Sequence, residues 1–470
     1  MTAASVVASP PSLTRAIDIA LARAETSGVP ALVSLVRSLD RALDPISLLG
    51  RSAGEHRQAL WQQPSGGAWA AGIGSAREWI GAAGSPLSAL RDEVRQALAN
   101  WVVVDGARSD VLLFGGCTFD PHRPPDPEWA NFPRALLVAP RLAAANVGGA
   151  PRMVLTCAVT PSDSFETVAS TLDNLWRESN NALEAPPVTP GRMPTVAHRR
   201  EIPTSADWKS LVGAAAADIR TGRFDKIVLA RASIVEAATS IDPLAALARM
   251  RDDNPNATLY ALASGGGAFV GASPETLIRV RDGKFATIPL AGSIGRGATI
   301  DEDARQAAAL LASGKDRHEH EVVVGAVLQA LDSATTQIAP VPAVPEVIPS
   351  RTVLHLATPI RGELKPGVDA LELVARLHPT PAVGGFPKEA AIAAIGERES
   401  FDRGWYAGAF GWINGVGDGE FAVAIRSALI AGNEARLYAG CGVMRDSDPE
   451  AEYEETQLKL QAIGAALGLA

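Results

Sequence analysis

Residues 276–290 read TLIRVRDGKFATIPL, and this stretch already indicates the kind of sheet that the chain forms. Two runs of β-branched and apolar residues flank an Asp-Gly pair, which is typical of the tight turn of an antiparallel hairpin. Residues 431–435, AGNEA, give a second turn signal between GEFAVAIRSALI at 419–430 and EARLYAGCGVM at 434–444. The second half of the chain is therefore predicted to contain antiparallel strands joined by short turns.

Further strand and helix patterns extend outward from these hairpins. Strands are predicted for SDVLLFGGCTFDP (109–121), RMVLTCAVTP (152–161), DKIVLARASIV (225–235), ATLYALAS (257–264), GAFVGAS (267–273) and YAGAFGWI (406–413). Helical patterns fall at 13–24, 87–99, 163–178, 301–333, 369–377, 387–396 and 449–467. Runs of strands that are interrupted by helices, without regular alternation of the two, predict an α+β fold in which helices cover large antiparallel sheets.

Two proline-rich stretches, residues 185–194 and 339–349, predict extended connectors, because proline cannot continue a helix. The first stretch separates two parts of different character, since strands dominate after it. We predict an N-terminal region, residues 1–200, that contributes strands and helices to the same large unit. Residues 201–470 are predicted to form the catalytic region.

The composition of the 470 residues is that of a globular protein, with 47% hydrophobic and 20% charged residues. The net charge is −9 and no basic block is present, so nucleic acid is not an expected partner. The three cysteines lie far apart, which fits a reducing cytosol, and no apolar run is as long as a membrane span. The N-terminus has no basic start and is a poor signal peptide. We expect a cytoplasmic protein that is a monomer or a weak homodimer.

The charged run KDRHEHE, residues 315–321, begins what otherwise reads as a buried helix. Three interpretations are open: a solvated helix end, as most charge runs are, a zinc site built on histidines, or a carboxylate pair for a hard metal ion. His318 and His320 are two residues apart and point to different sides of a helix, which disfavours zinc. Asp316 and Glu319 are three residues apart and share one face, beside the buried side of the helix.

The C-terminal segment DSDPEAEYEETQLKLQAIGAALG, residues 446–468, predicts a second helix with acidic residues at its start. Glu452, Glu455 and Lys459 lie at positions i, i+3 and i+7 and therefore share one stripe of the helix. Glutamates in a first turn are often partners of the helix dipole, but this role does not explain the lysine. Two helices that each offer an acidic pair could hold Mg²⁺, which takes oxygen ligands and keeps waters that a substrate carboxylate can replace.

Eight segments, in this order along the chain, resemble the chorismate-utilising enzymes, the family of the isochorismate, salicylate, anthranilate and aminodeoxychorismate synthases. They are FDKIVLAR (224–231), GASPE (271–275), PLAGS (289–293), KDRHEHE (315–321), HPTPAVGGFP (378–387), AIRSA (424–428), YAGCGV (438–443) and DPEAEYEETQLKL (448–460). The N-terminal half resembles the menaquinone-pathway isochorismate synthases more loosely, through LLFGGCTFDP and WANFPRALLVAP.

The resemblance implies one large unit in which two antiparallel sheets pack together, with helices outside and the active site in a cleft. It identifies Glu319 and Glu455 as direct Mg²⁺ ligands. Glu452 and Asp316 are identified as supporting ligands that act through water. In this family Mg²⁺ clamps the ring carboxylate of chorismate.

The resemblance also implies the groups that bind the substrate. Arg426 and Lys459 are similar to the family's carboxylate-binding side chains, which suits chorismate because it is a dianion. The other implied substrate-binding positions have small side chains or act through the backbone: Gly292, Thr380, Ala382, Gly440 and Gly442. Glycine at 440 and 442 would let the main chain approach the substrate closely and donate N–H groups.

Two residues of the resemblance specify the reaction. Lys226, at the start of the strand KIVLA, matches the position where a family lysine activates water. To act as a base the lysine must lose its proton, which requires burial or a nearby cation. Glu275, after a Ser-Pro turn, matches the acid that protonates the departing C4 hydroxyl, and this role requires a raised pKa. Water would enter at C2 and the product would be isochorismate.

Two other interpretations remain within the same fold. A salicylate synthase makes the same intermediate and then eliminates pyruvate, although PLAGS and HPTPAVGG resemble the group that releases isochorismate. A catalytically silent scaffold would be expected to lose Lys226, Glu275 or a metal carboxylate, and all of these residues are present. GASPE and Lys226 argue against the amine-forming synthases. The pathway that isochorismate would feed, menaquinone or siderophore biosynthesis, stays open.

Overall fold

The computed structural model describes residues 11–41, 43–50, 56–82, 84, 87–147, 149–184, 186–189, 191 and 193–469. The described residues form the following α-helices: α1 Pro11–Ser27, α2 Pro45–Gly50, α3 Arg91–Asn100, α4 Phe165–Leu183, α5 Ser205–Arg220, α6 Pro243–Asp253, α7 Ile300–Ala312, α8 Gly314–Asp332, α9 Ala370–Leu377, α10 Lys388–Arg398 and α11 Pro449–Leu467. Short 3₁₀ turns lie at Pro64–Gly66, Leu87–Leu90, Arg108–Asp110 and Pro127–Trp129.

Strands make up three sheets. The strands up to residue 202 are β1 Ala31–Ser38, β2 Arg57–Gln62, β3 Trp69–Ile73, β4 Arg77–Ile80, β5 Val102–Val104, β6 Leu112–Cys117, β7 Ala135–Ala139, β8 Leu142–Asn146, β9 Arg152–Val159 and β10 Val196–Ile202. The later strands are β11 Lys226–Ala237, β12 Thr258–Ser264, β13 Gly267–Ser273, β14 Thr276–Arg281, β15 Lys284–Thr287, β16 Leu290–Gly295, β17 Thr335–Ile338, β18 Glu346–Pro349, β19 Val353–Ala357, β20 Ile360–Leu364, β21 Gly385–Phe386, β22 Ala409–Asn414, β23 Gly419–Val423, β24 Ser427–Ala431 and β25 Glu434–Val443.

The two large sheets confirm the predicted α+β class. The larger has the strand order β10-β11-β25-β24-β13-β12-β2-β3-β8-β9-β1-β5, with β21 added beside β11. The second has the order β17-β20-β15-β14-β23-β22-β6-β7-β4. The pairs are antiparallel except for β1 with β5, which are parallel. The Asp-Gly turn at 282–283 joins β14 to β15, as the opening stretch of sequence predicts.

Alternate residues of β12 show where the cores lie. Tyr260 and Leu262 pack into the core between the two large sheets. Leu259 and Ala261 point to the opposite face of the larger sheet, which α1, α2, α4, α6 and α11 cover. Because successive strand residues point to opposite faces, a strand that is buried on both sides reads as an unbroken apolar run.

Strands from before and after residue 200 lie in the same sheets. In the larger sheet β2 pairs with β12, and in the second sheet β6 pairs with β22. The strand Val196–Ile202 spans the predicted boundary between residues 200 and 201. Of the predicted connector at 185–194, residues 185, 190 and 192 lie outside the described residues.

Three of the predicted elements differ in the structure, and other elements, among them α5, α6, β1 and β7, were not predicted. The helical pattern at 301–333 is two helices, because Ser313 ends α7 and caps α8. The strand predicted at 419–430 is broken between β23 and β24. Part of the connector at 339–349 is the strand β18, which pairs with β19 in a small third sheet of order β16-β19-β18. This third sheet forms one wall of the candidate site.

A buried ion pair beneath the site gives a prediction for stability. The carboxylate of Glu399 lies 2.5 Å from Arg403, and both side chains are 2% exposed. Glu399 also accepts a hydrogen bond from the amide of Ala230 in β11, and Arg403 donates to the carbonyl of Val228 in the same strand. Replacing Glu399 by glutamine leaves a buried guanidinium without a counter-charge. We expect the free energy of unfolding in urea to fall by about 3–5 kcal/mol.

The matched control for this prediction is Glu397→Gln, two residues earlier in the last turn of α10, which Glu399 follows. Glu397 is exposed and pairs with Arg223 on the surface, where water screens the charges. Little change in urea stability is expected for this variant. An equally small change for Glu399→Gln would contradict the assigned importance of the buried pair.

Candidate active site

A cavity of about 330 Å³ lies between the third sheet, the strands β11 and β25, and the helices α8 and α11. Most of the predicted site residues line it: Glu275, Gly292, Asp316, Glu319, Ala382, Arg426, Gly440, Gly442, Glu452, Glu455 and Lys459. Lys226 and Thr380 lie outside this lining, and both are buried. The chain thus brings together residues that are far apart in the sequence. Glu275 and Lys459, the first and last of the predicted residues that line the cavity, are separated by 184 positions.

Helix α8 presents the carboxylates of the charged run to the cavity. The side chain of Ser313 accepts a hydrogen bond from the amide of Asp316 and its hydroxyl contacts the Asp316 carboxylate, so the cap fixes the first turn. One turn further, Glu319 is 8% exposed and lies 2.8 Å from the Nζ of Lys226. His320 is buried on another side, where its Nε2 is 2.7 Å from the hydroxyl of Thr358. Neither His318 nor His320 lines the cavity.

Helix α11 supplies the second pair of carboxylates. Asp448 caps the helix by accepting hydrogen bonds from the amides of Glu450 and Ala451. Further along the helix, Glu455 lies 2.5 Å from Lys459, and Lys459 donates a 2.8 Å hydrogen bond to the carbonyl of Gly440.

The four carboxylates crowd one another. Burial, followed by the nearby Glu455, raises the pKa of Glu452. Burial also raises the pKa of Asp316, against the hydrogen bond from Ser313, and Glu319 adds to the effect. Burial alone would lower the pKa of Lys315. The ion pair with Glu452, at 2.8 Å, outweighs burial and raises this pKa. Such a cluster of partly buried negative charge favours a cation.

The donor set fits a hard divalent cation with few direct protein ligands. Carboxylate oxygens are the ligands that Mg²⁺ prefers, and Mg²⁺ usually keeps several waters and takes one or two carboxylates. Within the described residues, no three His, Cys, Asp or Glu side chains are grouped closely enough to hold a metal ion by themselves. Glu319 and Glu455, which the family resemblance implies as direct ligands, both line the cavity.

Lys226 lies directly behind this cluster. It is the first residue of β11, has no exposed surface, and sits beside β25, where Gly442 pairs with Val228. A methyl group on Gly442 would overlap the carboxylate of Glu319 and come within 3.0 Å of the Lys226 Cε. Glycine at 442 is therefore what allows the lysine and the glutamate to meet.

Glu275 occupies the turn between β13 and β14 and is 4% exposed. The backbone amide of Glu275 donates a hydrogen bond to the hydroxyl of Ser273, and this bond holds the turn. Burial raises the pKa of Glu275 to about 8, although Lys226, a backbone hydrogen bond from Leu290 and Arg426 act in the opposite direction. The carboxyl group is thus mainly protonated at neutral pH and can donate a proton.

Arg426 differs from the other cations of the cavity. Lys315 and Lys459 each pair with a carboxylate, and Arg403 pairs with Glu399. Among the described residues, no carboxylate lies within ion-pair distance of Arg426, and its guanidinium has one hydrogen-bond partner, the Nε2 of His355 at 3.0 Å. A cation without a counter-charge at the wall of a cavity is suited to bind an anion.

The remaining predicted positions differ in how close they come to the cavity. Ala382 and Gly440 both line it. A methyl group on Gly440 would lie 3.1 Å from the hydroxyl of Tyr406, which also lines the cavity. Thr380 does not line it. The Thr380 hydroxyl is buried and has no hydrogen-bond partner among the described residues.

Several residues of the cavity were not singled out in the sequence, among them Ser293, His355, Arg403 and Tyr406. His355 is the only polar side chain in the middle of the apolar strand β19, VLHLA, and this isolated histidine is the signal that could have indicated it. Arg403 and Tyr406 belong to the segment FDRGWYAG at 401–408, in which charged and aromatic residues adjoin two glycines. That pattern does not by itself indicate a site.

In the part of the chain that the structure describes, no helix is both long and apolar enough to cross a membrane.

Comparisons with known proteins agree on one family. Residues 19–468 match the family model described as chorismate binding enzyme. The chain is 37% identical over 457 residues to the salicylate biosynthesis isochorismate synthase of Pseudomonas aeruginosa, which covers 95% of this chain and 92% of that protein. It is also 37% identical, over 76% of this chain and 74% of the relative, to the isochorismate synthase MenF of Bacillus subtilis. The solved structure of MenF, the menaquinone-specific isochorismate synthase from Escherichia coli, superposes with a TM-score of 0.77 at 30% identity and covers 97% of this chain and 100% of that one.

Proposed function

Because the chain belongs to the chorismate binding enzyme family, we propose that it is an isochorismate synthase, an isomerase that converts chorismate to isochorismate. The names of the relatives at 37% identity support this activity. The observation that carries it is the content of a single cavity. A buried glutamic acid with a raised pKa, four carboxylates and an arginine without an ion-pair partner among the described residues line a cavity of about 330 Å³, and the buried Lys226 lies behind this lining, 2.8 Å from Glu319.

The cavity suits a small dicarboxylate. Arg426 and Lys459 would bind carboxylate groups of chorismate, and the backbone at Gly440 and Gly442 would lie against it. Mg²⁺, held by Glu319 and Glu455 with Glu452 and Asp316 acting through water, would neutralise the ring carboxylate.

Lys226 and Glu275 would carry the two proton transfers. In its unprotonated form, the amine of Lys226 would take a proton from water as the water oxygen bonds to C2. The ring double bonds shift, the C4–O bond breaks, and Glu275 gives its proton to the departing hydroxyl, which leaves as water. One water enters and one leaves, so the reaction is an isomerisation that needs no redox cofactor.

The product would leave as isochorismate rather than as salicylate. PLAGS at 289–293 and HPTPAVGG at 378–385 resemble the isochorismate-releasing members of the family. We propose that the protein acts in the cytoplasm, as a monomer or weak homodimer, with chorismate as its partner and with neither nucleic acid nor membrane. Isochorismate would supply menaquinone or siderophore biosynthesis.

The test is a product assay with purified protein, chorismate and Mg²⁺, with the products separated by chromatography. Isochorismate alone is the expected result. Salicylate with an equal amount of pyruvate would instead identify a salicylate synthase, and unchanged chorismate would favour a silent scaffold. Removing the metal with EDTA should abolish turnover, and added Mg²⁺ should restore it.

Replacing Gly442 by alanine tests the packing behind the proposed base. The added methyl group would push Glu319 and Lys226 apart, and a displacement of about 1 Å at a catalytic group can lower the rate about 100-fold. We expect kcat/KM for chorismate to fall by about that factor. The control is Gly325→Ala in α8, where a methyl group meets nothing within 4 Å. Equal activity of the two variants would contradict the close approach at Gly442.

A further inference from the structure

A β-bulge in the third sheet brings Ser293 and His355 together. Strands β16 and β19 pair antiparallel, and the register shifts between Ala291 and Ser293, at Gly292. Gly292 has φ +75°, a left-handed conformation that glycine adopts without a steric penalty. After the bulge Ser293 lies directly opposite His355, and its hydroxyl is 2.8 Å from the His355 Nδ1.

The hydrogen bonds of His355 define its tautomer. Burial, followed by the charges of Arg426 and Lys459, lowers the pKa of His355 well below its usual value, so the ring is neutral. A guanidinium can only donate, so the Nε2 that lies 3.0 Å from the Arg426 Nη2 is the acceptor. A neutral imidazole carries one N–H, which must then be on Nδ1 and can be donated to Ser293.

Arg426 needs a partner that orients it without neutralising it. It lies in the break between β23 and β24 with φ +54°, which is uncommon for a residue other than glycine. A carboxylate in place of His355 would hold the guanidinium equally well, but it would also occupy the charge that the substrate requires. A neutral imidazole fixes one edge of the guanidinium and leaves its charge and its remaining N–H groups to the cavity.

We propose that Ser293 and His355 are positioning residues: Ser293 holds the ring of His355 at its angle, and His355 orients Arg426 to bind a substrate carboxylate. This inference rests on the proposed function, since it concerns the same substrate. The proposal also gives the bulge at Gly292 a role, because the bulge places Ser293 directly opposite His355. It also links the third sheet, which carries Ser293 and His355, to the larger sheet beside Arg426.

Steady-state kinetics with chorismate and Mg²⁺ test the proposal. Ser293→Ala removes one neutral hydrogen bond and should raise KM about 3- to 10-fold with little change in kcat. His355→Leu should raise KM about 10- to 100-fold, because it removes the acceptor of a charged donor. His355→Gln, whose side-chain oxygen can accept from Arg426, should restore KM to within about threefold, whereas His355→Glu should not. Ser240→Ala and His122→Gln, both exposed, are the controls.

A double-mutant cycle separates positioning from a general loss of structure. If Ser293 acts through Arg426, then adding Ser293→Ala to Arg426→Lys should change KM by less than about twofold. Thermal unfolding of each variant checks that it is folded. An unchanged KM for Ser293→Ala, or an equal effect in both backgrounds, would overturn the relay while leaving the proposed function intact. A wild-type protein that does not consume chorismate would overturn both.

Discussion

Lys226→Met is expected to lower kcat by about 10²–10⁴-fold at saturating chorismate, which is the range that one positioned general base contributes. The change keeps the length of the side chain and removes only the amine that would take the proton from water. Lys226 does not line the cavity, so substrate binding should change less than kcat. The measurement is initial rate against chorismate concentration with Mg²⁺ present.

The loss of a buried cation also has to be separated from the loss of a base. Lys226 pairs with Glu319 at 2.8 Å, and removing one partner of a buried pair destabilises the fold. Thermal unfolding in the presence of Mg²⁺ shows whether Lys226→Met is folded. The control is Lys284→Met, in the exposed part of the hairpin β14–β15. A folded Lys226→Met that retained more than about a tenth of the wild-type kcat would remove the proposed base.

Glu275→Gln is expected to have a loss of similar size, about 10²–10⁴-fold in kcat, because an amide cannot protonate the C4 hydroxyl. The pH profile gives a second and more specific result. The pKa of Glu275 is about 8, so its acid form is present below pH 8 and disappears above it. The wild-type rate should therefore fall as pH rises through about 8. The residual rate of Glu275→Gln should not fall in this pH range.

Stability should follow the same titration. Since folding raises the pKa of Glu275 from 4.5 to about 8, the folded state holds a proton that the unfolded state has lost between these values. Its contribution to stability is present below pH 4.5 and is lost as pH rises to about 8. Urea unfolding of Glu275→Gln should show a weaker decline over this window than the wild type. Glu363→Gln, an exposed glutamate, should behave as the wild type does.

Local patterns predicted much of the fold. The Asp-Gly turn at 282–283 predicted the hairpin of β14 and β15, and the spacing of Glu452, Glu455 and Lys459 predicted a shared stripe that does face the cavity. These features depend on neighbours within one element, where the periods of helix and strand apply. Some buried runs, such as β22, could be assigned because turn residues bound them, whereas the buried strands β1 and β7 were not predicted.

Long-range contacts could not be predicted in the same way. Ser293 and His355 face each other only because Gly292 bulges one strand, and 62 positions separate the two residues in the chain. The left-handed conformation of Arg426 interrupts a run that otherwise reads as one strand. Such a conformation is imposed by the surrounding structure rather than by the residue. The third sheet was missed for the same reason, since its strands are short and pair across long insertions.

The central claim is that water from the solvent adds at C2 while the C4 hydroxyl leaves, with Glu275 in the wall of the cavity as the acid and Lys226 directly behind that wall as the base. Turnover of chorismate by the purified protein with Mg²⁺ in water enriched in ¹⁸O, followed by mass spectrometry of the product, tests it most directly. We predict isochorismate that carries one ¹⁸O atom, at the C2 hydroxyl. Isochorismate of unchanged mass would mean that the hydroxyl migrates within the molecule, and it would contradict the roles given to Lys226 and Glu275.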